Sequence, residues 1–446
     1  MLTIRSADWA APAEDLEKSA LRLGFVPLLD AAPLVIAKER GFFRRHGLDV
    51  VLSRERSWAN VRDNLEAGRL DAAQMLAPMT LAATLGAGAR AVPMVTALSL
   101  GLNGNAITVS TDLHRRMREL EPQAMRQWPV PACALKAVVD EERRSGKPPL
   151  VFAVVYPFSA HNYELRYWLA TGGIDPDRDL EIRVVPPGAM VEALADGTID
   201  GYCVGEPWGA YAAHLGCGHT IVRTYDVWNN APEKVLGVTR EWAERHPRTH
   251  RALVRALIDA ARWIDRPENR LEAVHVIAGE SFVDAPVEVL ECALTPAPHA
   301  GADAAPAAGT FYRGAATFPW RSHAIWFLTQ MLRWGQIDPP VDFDAVSAAV
   351  YRCDVYREAA TPLGIPVPLV DAKDEGVHDG PWLLGEATAP IAMGPDAFLD
   401  GRSFSPDAPL DYLSAPGGRD VRLPAGPGDG APISLSQRRS QAASSS

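Results

Sequence analysis

The chain has 446 residues, with 44 Lys and Arg against 55 Asp and Glu, a net charge of −11, and 47% hydrophobic residues. That is long for one domain, and the composition is globular rather than disordered or fibrous. The acidic balance argues against nucleic acid as a direct partner, and no apolar run reaches the ~20 residues that span a bilayer, so no membrane partner is expected.

The first twenty residues, MLTIRSADWAAPAEDLEKSA, carry four acidic residues and no apolar stretch ahead of a small-residue cleavage site, so they do not read as a secretory signal. Five cysteines (Cys133, Cys203, Cys217, Cys292, Cys353) form an odd, scattered set without a C-x-x-C pair. This pattern fits free thiols in a reducing compartment and no thiolate metal site. The expectation is a cytoplasmic protein.

From residue 21 the chain alternates short apolar runs with helical stretches, as an α/β fold with a mostly parallel sheet does. Strands are expected at 21–26, 48–52, 70–76 and 92–98, with helices at 31–41 and 58–67. The polar, charge-rich segment 111–127 interrupts the rhythm. It resumes with strands at 150–155, 181–185 and 199–204 and helices at 160–171 and 190–195. Beyond Thr239 the chain turns helical (241–264, 324–334, 343–351), with a flexible insertion at 297–309.

An internal echo points to two lobes. Residues 65–78 (LEAGRLDAAQMLAP) and 194–207 (LADGTIDGYCVGEP) share a helix end, a glycine, a strand and a closing proline. Gly68 and Gly197 suit the left-handed residue that ends a helix, and Pro78 and Pro207 suit the first turn of the next one. The expected organisation is lobe 1 from 20–108 plus 240–360, lobe 2 from 109–239, a wrapping segment at 361–414 and a disordered tail at 415–446.

In such folds ligands bind beyond the carboxyl ends of the strands, against helix N-termini. Counting back equally from the two echo glycines reaches Trp58 and Pro187, which should face a cleft from opposite sides. Trp58 offers an indole N–H or is a half-buried packing ring; Pro187 offers shape alone. Ser159 reads as an N-cap that places His161 in the first helical turn, as a ring donor or as a structural histidine. Lys234 precedes an apolar run at 235–238, the natural second crossover, and is either a cationic anchor or a solvated partner of Glu233. The segment 102–110 is the natural first crossover, with Asn103, Gly104 and Asn105 offering neutral donors. Glu206 stands at a strand end as a general base without an evident partner, a hinge carboxylate or a rim contact. Nucleophile elbows, Walker loops, zinc-protease motifs and dinucleotide fingerprints are missing, so the pattern is donor-rich and nucleophile-poor: a binding site rather than an enzyme.

The stretches AKERGFFRRHGLDV (37–50), LAPM (76–79), HNYELRYWLATGGI (161–174), VGEPW (204–208), PEKVLGVT (232–239) and FLDGRSFSPDAPLDYL (398–413) resemble the nitrate/bicarbonate-binding branch of the periplasmic binding protein superfamily. The likeness spans about residues 20–413. It implies a type II fold of two α/β lobes joined by crossover strands, closing on a small anion in a central cleft. The family's ligand contacts map onto Trp58, Asn103–Asn105, His161, Pro187 and Lys234. Lysine at 234, where bicarbonate-type members carry an acidic residue that recruits a metal, implies nitrate or nitrite and no metal or other cofactor. One departure is the pair Asn103 and Asn105 where a longer glutamine is expected. The cysteine cluster of the related thiamine-pyrimidine synthases is missing. Without an export signal the chain is most similar to NasS-type cytoplasmic nitrate sensors. These hold an RNA-binding, ANTAR-domain (NasT-like) antiterminator inactive until the anion arrives. The alternative is the substrate-binding protein of a nitrate or bicarbonate ABC transporter.

Overall fold

The alternation of apolar runs and helices becomes two five-stranded sheets in the computed structural model, which describes residues 15–294 and 309–414 and the backbone of 422–423 and 433–434. The expected insertion, apart from Gly309, lies outside the described residues. So does the expected disordered tail, apart from Arg422–Leu423, which pairs antiparallel with Ile433–Ser434.

The strands are β1 (Ala20–Phe25), β2 (Asp49–Arg54), β3 (Ala72–Leu76), β4 (Met94–Ser99), β5 (Asn105–Ser110), β6 (Val151–Val154), β7 (Glu181–Val184), β8 (Gly201–Gly205), β9 (Gly218–Arg223) and β10 (Lys234–Thr239). The first sheet runs β2-β1-β3-β10-β4, with β1 parallel to β2 and β3 and with β10 antiparallel to both neighbours. The second runs β7-β6-β8-β5-β9, with β6 parallel to β7 and β8 and with β5 antiparallel to both neighbours. The connectivity is the same in each: a parallel triplet, then one antiparallel strand contributed by chain arriving from the other sheet. This is the two-lobe α/β fold with crossovers. The echo glycines adopt left-handed φ angles of 66° (Gly68) and 77° (Gly197), as the end of a helix before a buried strand requires.

The crossings lie slightly apart from the expected boundaries. β5 already belongs to the second sheet and β10 to the first, so the chain passes between lobes at 100–104 and 228–233, not after 108 and 239. The two passages run side by side. Asn103 N–H donates to Ala231 C=O at 2.7 Å, and Leu100 N–H donates to Lys234 C=O at 2.8 Å.

Two helical expectations need correction. The polar segment after Ser110 is not an interruption but the helix Thr111–Leu120, which buries only Leu113 and Met117 and exposes its charges. The expected helix 241–264 is two helices, Arg240–Arg245 and Pro247–Ile264, because Pro247 has no N–H to continue the first and opens the second.

The wrapping segment closes over the hinge. Asn229 N–H donates to Ala397 C=O at 2.9 Å, and Leu399 N–H donates to Val227 C=O at 2.8 Å. Between these bonds Phe398 lies against Trp228, ring centroids 4.8 Å apart, and against Tyr167 of the second lobe at 5.9 Å. The helix Arg321–Arg333 completes the cluster with Trp326, 4.8 Å from Trp228.

Candidate functional site

The register of β10 on β3 pairs Lys234 with Leu76, the last residue of β3, so the lysine stands at the carboxyl edge of the first sheet. It is 1% exposed. Its Nζ lies 2.7 Å from Asp30 Oδ2 and 2.7 Å from Glu233 Oε2, and 5.4 Å from the centre of the Trp58 ring. Asp30 belongs to the single turn Leu29–Ala31 between β1 and the helix Ala32–Glu39. The Gln74 side chain anchors it, donating its amide to Asp30 Oδ1 while accepting Val26 N–H at 2.9 Å.

The second lobe supplies the imidazole. Ser159 caps the helix Ala160–Thr171 by accepting Asn162 N–H at 3.2 Å, as the sequence predicts, which sets His161 in the first turn. His161 is fully buried, with Nδ1 3.2 Å from Glu233 Oε1 and Nε2 3.3 Å from Val155 N. Nε2 must keep a lone pair to accept that backbone N–H, so the proton sits on Nδ1 and is donated to Glu233. Burial lowers the histidine pKa, against the pull of Glu233.

Lysine and imidazole therefore do converge from separate lobes, but upon the carboxylate of Glu233. Burial alone would raise the Glu233 pKa; Lys234 and His161 together overcome it and bring it down to about 2. Asp30, with the lysine as its one charged partner, goes the other way: burial pushes its pKa up to about 6 against the attraction of Lys234. For Lys234 itself, burial disfavours the ammonium, but Asp30 and Glu233 outweigh it and hold the pKa above the usual lysine value. Behind them Glu164 accepts from Asn105 Nδ2 at 3.3 Å, and burial, reinforced by Glu233, keeps its carboxyl well above the ordinary range. The cluster thus holds one ammonium against two carboxylates, a more acidic site than the expected excess of donors.

The other expected residues divide. Trp58, the first residue of the helix Trp58–Glu66, is fully buried rather than half-buried, and its Nε1 has no hydrogen-bond partner among the described residues. Asn103 takes a left-handed φ of 64° and donates Nδ2 to Asn230 Oδ1 at 3.3 Å, so its amide ties the two crossings together. Its Oδ1, like that of Asn105, is buried without a partner among the described residues. Gly104 accepts Glu206 N–H at 2.8 Å. With Leu29, Asp30, Asn103, Glu233 and Lys234 it lines a small pocket of about 10 Å³, room for roughly one water.

Two expected residues stand apart from the lysine cluster's hydrogen bonds. Pro187 is buried and opens a short turn (Pro187–Ala189) beyond the edge strand β7, where, lacking an N–H, it offers shape alone, as the sequence reading has it. Glu206 Oε2 accepts Ala210 N–H at 3.0 Å from the helix Trp208–His214, which ties the carboxylate to the turn that follows β8. Its C=O accepts Leu29 N–H of the first lobe at 2.9 Å, a direct bond across the cleft.

Asp30, Gln74 and Glu164 escaped the sequence reading. Gln74 was legible as the one polar side chain within the apolar strand AAQML. Asp30 follows a strand and precedes a helix, the same kind of position that singled out Trp58.

The model of the NMT1-like family matches residues 14–278. Over 415 residues the chain is 32% identical to the nitrate/nitrite binding protein NrtA of Nostoc sp., covering 91% of this chain and 87% of that protein. It is 31% identical over 424 residues to the bicarbonate-binding protein CmpA of Synechococcus elongatus, covering 91% and 88%. It is 39% identical over 406 residues to the nitrate import ATP-binding protein NrtC of Synechocystis sp., covering 89% of this chain but 55% of NrtC, so it spans about half the length of that relative. Among solved structures, the periplasmic nitrate-binding protein NrtA from Synechocystis superposes with a TM-score of 0.76 at 30% identity, covering 90% of this chain and 99% of that one. With the shared two-lobe architecture, these likenesses place the chain in the NMT1-like family, among the homologues of the nitrate- and bicarbonate-binding proteins.

Proposed function

We propose that this chain binds a small planar oxyanion, nitrate or nitrite, between its lobes and serves as the solute-recognising unit of a nitrate-type ABC importer. The observation that carries the reading is the convergence of Lys234 and His161 on a carboxylate. A carboxylate is itself a flat oxyanion, and the ammonium and Nδ1–H that hold Glu233 are the groups an incoming anion needs. The Trp58 indole N–H, buried and unpartnered, is a further donor at the same place. Lysine at 234 favours a metal-free site in this reading, and the relatives named as nitrate- and bicarbonate-binding proteins support the ligand class. The test is calorimetry with nitrate, nitrite, bicarbonate and an alkanesulfonate at pH 6. Nitrate or nitrite should bind tightest, and the reading fails if none of the small oxyanions gives heat or raises the melting temperature.

A second reading, a cytoplasmic NasS-type sensor that releases an ANTAR-type antiterminator when the anion binds, draws support from the cysteines. The two buried thiols, Cys203 and Cys353, are both free, as in a reducing compartment. In this role the closed, anion-bound form disfavours the partner, and release follows from the anion's differential affinity for the two forms. Cell fractionation, with co-purification of an antiterminator in the absence of nitrate and its loss in the presence of nitrate, separates the two roles. Recovery only from the periplasm sinks the sensor.

A further inference from the structure

Resting on the oxyanion reading, we propose that this site takes up its anion together with one proton, and that Asp30 is the group that receives it. The argument begins with charge. Lys234 is already neutralised by Asp30 Oδ2 and Glu233 Oε2, each at 2.7 Å, and is itself 1% exposed. A monoanion that arrives at the ammonium meets two carboxylates, and nitrate has no hydrogen to offer either of them. One carboxylate must surrender its place and lose its charge for the buried cluster to hold the anion.

The titratable groups around the lysine leave one choice. Glu233 accepts from His161, pairs with Lys234 at 2.7 Å and is the most firmly ionised member. His161 has its second nitrogen committed to Val155 N–H, so it gains no proton without breaking that bond. Burial pushes Glu164 and Cys203 toward their neutral forms. Glu206, from the neighbouring turn, points its carboxylate into its own helix. Asp30 remains, held by Lys234 and by the uncharged Gln74.

A proton on Asp30 also has somewhere to point. A Cβ on Gly205 would stand 3.4 Å from Asp30 Oδ2 and 3.4 Å from Asn105 Oδ1, so both oxygens open onto the space this glycine leaves free. Asn105 Oδ1 is a buried acceptor with no donor among the described residues, and it faces the same small space toward which a new O–H on Asp30 would turn. The ordinary carboxyl value is already shifted in the enabling direction by burial, to about 6. The balance is Asp30 carboxylate, plus a proton from solvent, plus nitrate, giving Asp30 carboxylic acid and nitrate on Lys234. No covalent bond other than O–H forms.

The test is nitrate titration calorimetry on the full chain at pH 7.5 in buffers of different ionisation enthalpy, which counts protons taken up per anion. We expect about one proton for the native chain, and an affinity that falls about tenfold per pH unit from pH 7 to 8.5. In Asp30→Asn, a neutral isostere, uptake should vanish and the affinity should become flat with pH, with the fold checked by thermal melt. Nitrate binding without proton exchange in the native chain overturns the proposal while leaving the oxyanion reading intact, as does uptake that persists in Asp30→Asn. If no oxyanion binds at any pH, the oxyanion reading falls and this inference falls with it.

Discussion

His161 Nδ1 of the second lobe lies 3.2 Å from Oε1 of Glu233, the residue that leads the chain into the first sheet. The other oxygen of that carboxylate holds Lys234 at 2.7 Å. One side chain thus ties the lobes together through the very groups that would grip an anion. Opening the cleft has to loosen these bonds, and an anion entering the cleft meets the same ammonium.

Removing the lysine should therefore cost both binding and stability. Lys234→Met keeps the aliphatic volume but leaves Asp30 and Glu233 buried beside each other without a cation. Breaking a buried pair in this way destabilises by about 3–5 kcal/mol. Urea denaturation at pH 7.5 should show that loss, and it should shrink at pH 5, because Asp30, whose pKa is already raised to about 6 beside the lysine and rises further without it, takes up a proton and sheds its charge. Calorimetry should detect no nitrate binding. Native-like anion affinity in Lys234→Met would remove the lysine from the site.

Trp58→Phe separates packing from donation. The indole Nε1 is buried and has no partner among the described residues, so its removal deletes no hydrogen bond seen among them, while the ring volume under Lys234 is largely kept. Stability without anion should change by less than about 1.5 kcal/mol. Nitrate affinity should fall about tenfold, the worth of one hydrogen bond to a charged acceptor. Equal losses of stability and affinity, read by melting and calorimetry on the same variant, would make Trp58 a packing residue only.

What the sequence disclosed and what it hid follow from the range of the interactions involved. The two-lobe fold was legible because helix, glycine, strand and proline are local signals, and the echo repeated them around Gly68 and Gly197. His161 and Lys234 were legible by position, each beside a strand end. The fate of Lys234 was not: its partner Asp30 is some two hundred residues away in the chain, and only the insertion of β10 beside β3 brings them together. The pattern of one cation between two carboxylates is a tertiary fact. An equal count from an echo glycine likewise finds the turn that Pro187 opens, but gives no information about how far that turn stands from the hinge. Glu206 looked free because capping by a side chain four residues upstream of its donor leaves little trace in composition.

Acid stability should report on a second buried carboxylate, in the wrapping segment. Glu375 is 1% exposed and is bonded by Lys373, by Ser322 Oγ at 2.8 Å and by His323 at 3.4 Å. Burial opposes its ionisation, but Lys373 and then His323 prevail and bring its pKa to about 2 from 4.5. A depressed folded-state value means that the carboxylate stabilises the fold above pH 4.5, and that this contribution is lost as the pH falls toward 2. Its size is about 3 kcal/mol. In Glu375→Gln, unfolding free energies between pH 5 and 2.5 should show a shallower acid slope than the native chain. Glu233 titrates in the same window and retains part of the slope. An unchanged slope would mean that Glu375 is not ionised in the folded protein.

Phe398 should couple the wrapping segment to the cleft. Its ring packs on Trp228 and Trp326, which flank the second crossing, and on Tyr167 in the helix that carries His161. The backbone on either side of it bonds to residues 227 and 229, so the segment grips the hinge strand itself. Truncation to alanine empties an aromatic site that is 4% exposed, at a cost of about 3–5 kcal/mol. Because the loosened residues set the distance between His161 and Glu233, nitrate affinity should weaken along with stability, even though Phe398 touches none of the charged groups. Phe398→Leu, which refills most of the volume, should recover the greater part of both. If truncation lowers the melting temperature and leaves affinity measured well below it unchanged, the segment braces the fold without governing the jaws.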